Sequence, residues 1–124
     1  MPNSNRRRGD YFERRTMAAF RAQGWLVIRS AGSYGPADLW AARSGRLLLI
    51  SCKLDGKLPK REREALLDAA DGAGADAVLA HRGARPGVKL PPGWVGLDLI
   101  TREMVTCLAP LHMPPQRRND AQTA

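Results

Sequence analysis

The sequence predicts one α/β domain in which helices flank a central mixed β-sheet. The chain has 124 residues, which is enough for one hydrophobic core but not for two. Helical and strand patterns follow one another in the order α-β-β-β-α-β, and one more strand pattern comes after them. A helix, a run of strands and a second helix are typical of a sheet that is covered by helices.

The first helix is predicted over residues 10–23, where apolar side chains recur at helical spacing. Asp10 is suited to cap its start, and Gly24 is suited to end it. Three apolar strand segments follow at 25–28, 38–42 and 46–54. A tight turn around Ser44 joins the last two segments, so we expect them to pair as a hairpin.

The second helix is predicted over residues 58–70, with Pro59 in its first turn and Gly72 beyond its end. Two further strand patterns lie at 75–81 and 94–99. We expect the chain to divide into a flexible basic arm over 1–8, a single domain over 9–109 and a disordered tail over 110–124.

The charge of the chain predicts a polyanionic partner. Twenty Lys and Arg residues oppose twelve Asp and Glu residues, which gives a net charge of +8. A domain this basic most often binds nucleic acid, although a solvated basic surface without a dedicated partner is the alternative. No apolar run approaches the roughly 20 residues that span a bilayer, so no membrane role is predicted.

The cysteines and the N-terminus indicate a cytoplasmic protein. Cys52 and Cys107 stand alone in the sequence, which argues against a zinc site or a thiol redox motif and fits a reducing compartment. The basic residues near the N-terminus have no apolar stretch behind them, so a secretory signal is not expected.

Three polar residues interrupt the apolar patterns and are candidates for chemistry. Glu13 lies at the edge of the apolar stripe of the first helix, Asp38 opens a strand and Lys53 ends one. The alternatives are an exposed helix glutamate and a simple turn aspartate. If the hairpin closes at Ser44, Asp38 falls opposite Ser51 and on the face that carries Lys53.

This set of residue types suits phosphodiester hydrolysis. Carboxylate oxygens bind Mg²⁺, which polarises a phosphate and lowers the pKa of a bound water. A lysine orients or deprotonates that water, or stabilises the developing negative charge. The sequence has no phosphate-binding glycine motif of the Walker or dinucleotide type. His81 and His112 have no partner at metal-ligand spacing, and Ser33 has no nearby histidine for a hydrolase triad.

Five segments carry a resemblance to a known family. They are Gly-Asp-Tyr-Phe-Glu-Arg at 9–14, Gly-Trp-Leu-Val-Ile-Arg at 24–29, Ser-Ala-Gly-Ser at 30–33, Pro-Ala-Asp-Leu at 36–39 and Ile-Ser-Cys-Lys at 50–53. In this order they resemble the archaeal-type Holliday-junction resolvases, a family of PD-(D/E)XK nucleases found also in phages. The resemblance covers roughly residues 9–81. It implies a restriction-endonuclease-like core, Mg²⁺ (with Mn²⁺ as a substitute) and a homodimer that cuts branched double-stranded DNA.

The resemblance also implies roles for individual residues. Glu13 and Asp38 would hold the metal, and Lys53 would be the catalytic lysine. Arg29 and Ser33 would help to position the scissile strand, with Ser33 in the catalytic site. Apart from the resemblance, the main-chain carbonyl of Cys52 is a candidate oxygen ligand and Ser30 a candidate DNA contact.

One position departs from the family pattern. The family has an acidic residue two places before the lysine, where this chain has Ser51. A hydroxyl is a weak, neutral metal ligand compared with a carboxylate. Asp55, two places beyond the lysine, is a candidate to swing in. The protein is then either an active variant, an impaired nuclease that still binds DNA, or another small repair or nicking nuclease of the same superfamily.

Two basic clusters are candidate DNA contacts. The first is Arg6, Arg7 and Arg8, and the second is Lys57, Lys60 and Arg61 at the start of the second helix. Cations disfavour a helix N-terminus, and a bound phosphate backbone would offset that cost. The alternative for both clusters is a solvated surface.

Overall fold

The computed structural model describes residues 4–30, 35–83, 90, 93–102 and 105–113, with the backbone alone at 4–7 and 105–113. These residues form two helices and six strands. They are α1 (Ser4–Ala22), β1 (Leu26–Arg29), β2 (Leu39–Arg43), β3 (Arg46–Cys52), α2 (Lys60–Ala73), β4 (Asp76–His81), β5 (Val95–Ile100) and β6 (Val105–Met113).

The six strands form one mixed sheet, as the sequence predicts. Their order in the sheet follows the chain from β1 to β6, and only β3 and β4 run parallel among the paired strands of the described residues. A parallel pair needs a crossover connection, and α2 provides it because it lies between β3 and β4 in the chain.

Each helix covers part of one face of the sheet. α1 packs against β1, β2 and β3, whereas α2 packs against β3 and β4. The two faces of β3 illustrate the division, because Ile50 belongs to the core under α1 and Leu49 to the core under α2. Within the described residues, we find no helix that is both long enough and apolar enough for a membrane span.

The β2–β3 hairpin has the predicted register. Ser44 and Gly45 both have positive φ, at 50° and 80°, which suits the two-residue turns that match the twist of paired strands. Leu39 pairs with Ile50, so the predicted register of the hairpin is confirmed. Asp38 comes just before β2 and is hydrogen-bonded to Ile50 and Cys52, the residues on either side of Ser51.

The start of α1 corrects the predicted N-terminal arm. The helix begins at Ser4, so residues 4–8 are helical rather than a flexible arm, and Asp10 lies inside the helix instead of capping it. The polar run before Asp10 has no apolar periodicity, so the helix pattern could not be detected there. The second helix, α2, continues past Gly72 to Ala73. Its C-cap residue is Gly74, which adopts the left-handed conformation.

Strand β6 was missed at the C-terminal end. Its residues 105–113 pair with β5, so the predicted tail is wrong as far as Met113, and residues 114–124 lie outside the described part of the chain. Pro110 in the sequence argues against a strand here, because proline is rare in central strands. β6 is an edge strand, where proline is tolerated, and the β5–β6 register shifts between Gly96 and Asp98.

A buried polar pair ties β4 to β5. His81 and Asp98 are both buried, and their Nε2 and Oδ2 atoms lie 3.2 Å apart. The Nδ1 atom of His81 accepts the amide hydrogen of Gly83 at 2.8 Å, which also ties the ring to the residues after β4. The imidazole lies directly over Gly96, where an added Cβ would come within 2.6 Å of the ring.

We expect Gly96→Ala to destabilise the protein by about 1–3 kcal/mol, because the buried ring has no room to move away from a new methyl group. Gly72→Ala is the control. It lies inside α2 with open space around its added Cβ and should instead stabilise by roughly 0.5–1 kcal/mol. Urea unfolding of both variants measures the difference in their free energies of unfolding. Equal values would contradict the close packing of His81 on Gly96.

Candidate functional site

The site is built where β2 begins and β3 ends. The amide of Cys52 donates a hydrogen bond to the Oδ2 atom of Asp38 at 2.7 Å, and the amide of Asp38 donates to the carbonyl of Ile50 at 2.8 Å. Asp38 is half-buried. Its carboxylate is therefore held by the backbone of the neighbouring strand and does not act as a simple turn residue.

Glu13, on α1, is the second carboxylate of the site. It is half-buried, and the Nε atom of Arg29 donates to its Oε1 atom at 3.0 Å. Burial and the charge of Asp38 raise the pKa of Glu13, while Arg29 acts in the opposite direction. Arg29 also donates to Asp10 at 2.8 Å. The alternative of an exposed helix glutamate is therefore wrong, and the charge of Asp38 acts on Glu13.

The side chain of Cys52, at the end of β3, is half-buried. Burial, followed by the charges of Asp38 and Glu13, raises the pKa of the thiol well above its ordinary value. The thiol therefore stays protonated near neutral pH and is no thiolate ligand. An oxygen ligand from this residue would have to be its main-chain carbonyl.

Lys53 extends toward α2. Its Nζ atom lies 2.9 Å from the Oε1 atom of Glu62, in the first turn of that helix. The two side chains are 31% and 50% exposed. Glu62 was not among the residues predicted from the sequence for this site. The available signal was a single carboxylate within a basic run, nine positions after the candidate lysine and at the start of the helix that follows it.

Asp55 has a different structural role from the one considered for it. Its Oδ1 atom accepts the amide hydrogen of Lys57 at 3.0 Å, which stabilises the turn after β3. Asp55 is exposed. Among the acidic residues that follow β3, it is Glu62 that contacts Lys53.

The donor atoms of the site fit a hard divalent cation. Two carboxylates with mutual repulsion at a half-buried position are a favourable environment for such an ion, because it would relieve that repulsion. In the described part of the chain, however, no three His, Cys, Asp or Glu residues are grouped closely enough to hold a metal ion. Glu13 and Asp38 would thus need further oxygen ligands from the main chain, water, the substrate or another carboxylate.

The remaining predicted site residues fall into three groups. Ser33 lies outside the described residues, and the side chains of Arg6 and Arg7 are likewise not described. Ser30 is half-buried, and its amide donates to the carbonyl of Asp38 at 3.0 Å, next to the site. The exposed predicted DNA contacts are Arg8, Lys57, Lys60 and Arg61.

A basic depression beside the site was not predicted. It is lined by Arg8, Tyr11, Phe12, Arg15, Leu54 and Arg82. Leu54 follows the end of β3 and Arg82 the end of β4, so the depression lies at the same end of the sheet as Asp38. Tyr11 is 61% exposed, and the guanidinium of Arg15 lies 5.5 Å from the centre of its ring. Three arginines around an apolar floor form a suitable contact for a nucleic-acid backbone.

The chain is similar to proteins of one known family. A family model described as archaeal Holliday junction resolvase (Hjc) matches residues 4–103. The chain is 37% identical over 78 residues to the crossover junction endodeoxyribonuclease Hjc of Methanocaldococcus jannaschii. That match covers 60% of this chain and 58% of the relative, which is less than two thirds of the relative's length.

The fold has a counterpart among solved structures. The 1.6 Å structure of Hjc from Archaeoglobus fulgidus, a Holliday junction resolvase, superposes with a TM-score of 0.58 at 30% sequence identity. The match covers 73% of this chain and 70% of that one. It confirms the predicted restriction-endonuclease-like fold.

The carboxyl of Glu13 should titrate above its ordinary value of 4.5. Because the folded state then binds this proton more tightly than the unfolded state, ionising Glu13 lowers stability as pH rises from about 4.5 through the raised pKa. Asp38→Asn should lower the pKa of Glu13 by removing the like charge, and added Mg²⁺ should lower it too. Carbon-13 NMR titration measures both shifts. Asp76→Asn, on the exposed start of β4, is the control, and an unchanged Glu13 pKa in Asp38→Asn would contradict the coupling.

Proposed function

The chain belongs to the archaeal Holliday junction resolvase family, and we propose that it is a metal-dependent endonuclease that resolves four-way junctions or related branched DNA. The observation that carries this proposal is the placement of Asp38. Its carboxylate accepts a hydrogen bond from the amide of Cys52, the residue before Lys53. The charge of this carboxylate also raises the pKa of Glu13. The homologue's name, crossover junction endodeoxyribonuclease, supports the same reaction.

Each residue of the site has a part in the proposed reaction. Glu13 and Asp38 would hold Mg²⁺, with Mn²⁺ as a substitute, and the carbonyl of Cys52 would add a neutral oxygen. When bound, the ion would supply polarisation of the phosphate and a lowered pKa of water. The attacking water loses a proton to solvent and bonds to phosphorus, one backbone P–O bond breaks, and the leaving oxygen takes a proton from solvent, while Lys53 balances the negative charge that develops. Arg29 keeps Glu13 in place and, with Ser30 and Ser33, orients the scissile strand.

The DNA would lie across the end of the sheet that carries the site. The depression with Arg8, Arg15 and Arg82 borders the site on the α1 side, and Lys57, Lys60 and Arg61 border it on the α2 side. Arg6 and Arg7, which precede Arg8 in the sequence, are further candidate contacts. These contacts give affinity that depends on salt and not on base sequence, which suits an enzyme that recognises the shape of its substrate.

A DNA-binding protein without nuclease activity is the second candidate, and Ser51 favours it. Ser51 is only 3% exposed and comes directly before Cys52 on β3. It supplies no negative charge where the family has a carboxylate. Metal-dependent cleavage separates this candidate from the first.

We further propose that the enzyme acts as a homodimer, since a four-way junction is cut at two symmetric phosphates. β1 is an edge strand, and its Leu26 and Ile28 side chains are 71% and 58% exposed on the face that α2 leaves uncovered. Paired apolar side chains at an open edge are a suitable surface for a second copy.

Leu26→Ser combined with Ile28→Ser should shift the protein from dimer to monomer. Analytical ultracentrifugation of the wild type and the double variant measures this, with Glu64→Ser on exposed α2 as the control. A wild-type protein that sediments as a monomer at all concentrations would overturn the dimer, and an unaffected dimer in the variant would place the interface elsewhere.

Asp38→Ala should abolish cleavage and leave junction binding intact, because it removes a metal-binding carboxylate without removing any positive charge. The assay uses an end-labelled four-way junction and a matched linear duplex with Mg²⁺, Mn²⁺ or EDTA. Paired incision of the junction alone, lost in Asp38→Ala, supports a resolvase. Tight binding without incision in either metal would favour the non-catalytic candidate.

A further inference from the structure

We propose that Tyr11 is a stacking surface for a base at the branch point of the DNA, and that it gives the protein a preference for branched over linear DNA. This inference rests on the proposed function, because it names the feature of the substrate that the same nuclease would recognise. The arginines of the basic depression would contact phosphates, which every DNA carries, so they cannot provide that preference by themselves.

The first support is the exposure of the Tyr11 ring. In the described part of the chain, Tyr11 is the only aromatic residue that is exposed. Its neighbour Phe12 belongs to the core under α1 and is only 3% exposed, whereas Tyr11 is 61% exposed. The core makes no use of this ring, and its open apolar surface is therefore available to a partner.

The second support is the way in which Arg15 holds the ring. Its Nη1 atom donates a hydrogen bond to the Oη atom of Tyr11 at 3.0 Å, and its guanidinium lies 5.5 Å from the centre of the ring. The Nη2 atom of Arg15 donates to the carbonyl of Gly93 at 3.2 Å, shortly before β5. Because the arginine is tied to both partners, the exposed ring is oriented before DNA binds, which lowers the entropy that stacking costs.

The third support is the position of the ring beside the site. Phe12 and Leu54 line the basic depression together with Tyr11. In the chain, Phe12 comes directly before Glu13, and Leu54 comes directly after Lys53. The ring therefore borders the two segments that carry the site, and a base that stacks on it would lie in the part of the substrate that the site acts on.

Stacking on this ring favours branched DNA for a physical reason. In a linear duplex both faces of an internal base pair are covered by neighbouring pairs, so a base must be unstacked before it can reach a protein ring. At a branch point the stack is interrupted, and base faces are open. An aromatic ring then raises the affinity about fivefold to a hundredfold per stacked base, which corresponds to about 1–3 kcal/mol.

DNA binding measured in EDTA tests the inference without any cleavage. Tyr11→Ala should lower the affinity for a four-way junction about fivefold to a hundredfold, and the affinity for a matched linear duplex by less than about twofold. Tyr11→Phe keeps the ring and should retain most of the preference for the junction. Because Tyr11 is exposed, both variants should fold, which circular dichroism checks.

Arg82→Gln is the matched control, since it lines the same depression but removes a charge instead of a ring. It should weaken the binding of junction and duplex alike, and it should reduce the slope of log affinity against log salt concentration by about 1. Tyr11→Ala should leave that slope unchanged, because it removes no charge. If Tyr11→Ala weakens the binding of both DNAs equally, or of neither, the inference is wrong.

Photo-cross-linking identifies the contact on the protein and on the DNA. A junction that carries 5-iodouracil at the branch point should cross-link to Tyr11, as identified by mass spectrometry, and the yield should fall in Tyr11→Ala. The same base analogue in the middle of one arm is the control. Cross-linking of Tyr11 from the arm and not from the branch point would overturn the assignment.

The outcomes separate this inference from the proposed function. If the wild type cuts junctions and Tyr11→Ala binds and cuts them equally well, only the inference fails. If the wild type prefers junctions through Tyr11 but cuts none with Mg²⁺ or Mn²⁺, the inference stands and the nuclease proposal fails. A wild type with equal affinity for junction and duplex would refute the inference as well.

Discussion

The hydrogen bond between the Cys52 amide and the Asp38 carboxylate sets the geometry on which the site depends. It joins the start of β2 to the end of β3, and its position follows from the two-residue turn at Ser44 and Gly45. A slip of one residue in this hairpin would move every side chain of a strand to the opposite face. The turn at one end of the hairpin thus fixes the carboxylate at the other.

Around that fixed carboxylate, the site brings like charges together at a cost to folding. The raised pKa of Glu13 expresses this cost, since burial and Asp38 both oppose its ionised form. The positive charge of Arg29 offsets part of this cost, and its guanidinium forms ion pairs with both Glu13 and Asp10. A site arranged in this way gains the most from a bound cation, which is the arrangement a metal-dependent nuclease requires.

The sequence predicted the parts of the site that depend on local rules. Alternation along β3 and the turn residues gave the relation between Asp38 and Ser51, and helical spacing gave the half-buried position of Glu13. It could not give the contact of Lys53 with Glu62, because that depends on where α2 packs after leaving the strand. The basic depression beside α1 was missed for the same reason, since its residues come from three separate segments.

The serine at position 51 changes the energetics of the site in a specific way. Its side chain is only 3% exposed, so a carboxylate there would be desolvated whenever no cation is bound. A neutral hydroxyl avoids that cost to folding. In exchange, the site has one negative charge fewer than the family pattern, so its affinity for a divalent ion should be lower than with a carboxylate at position 51.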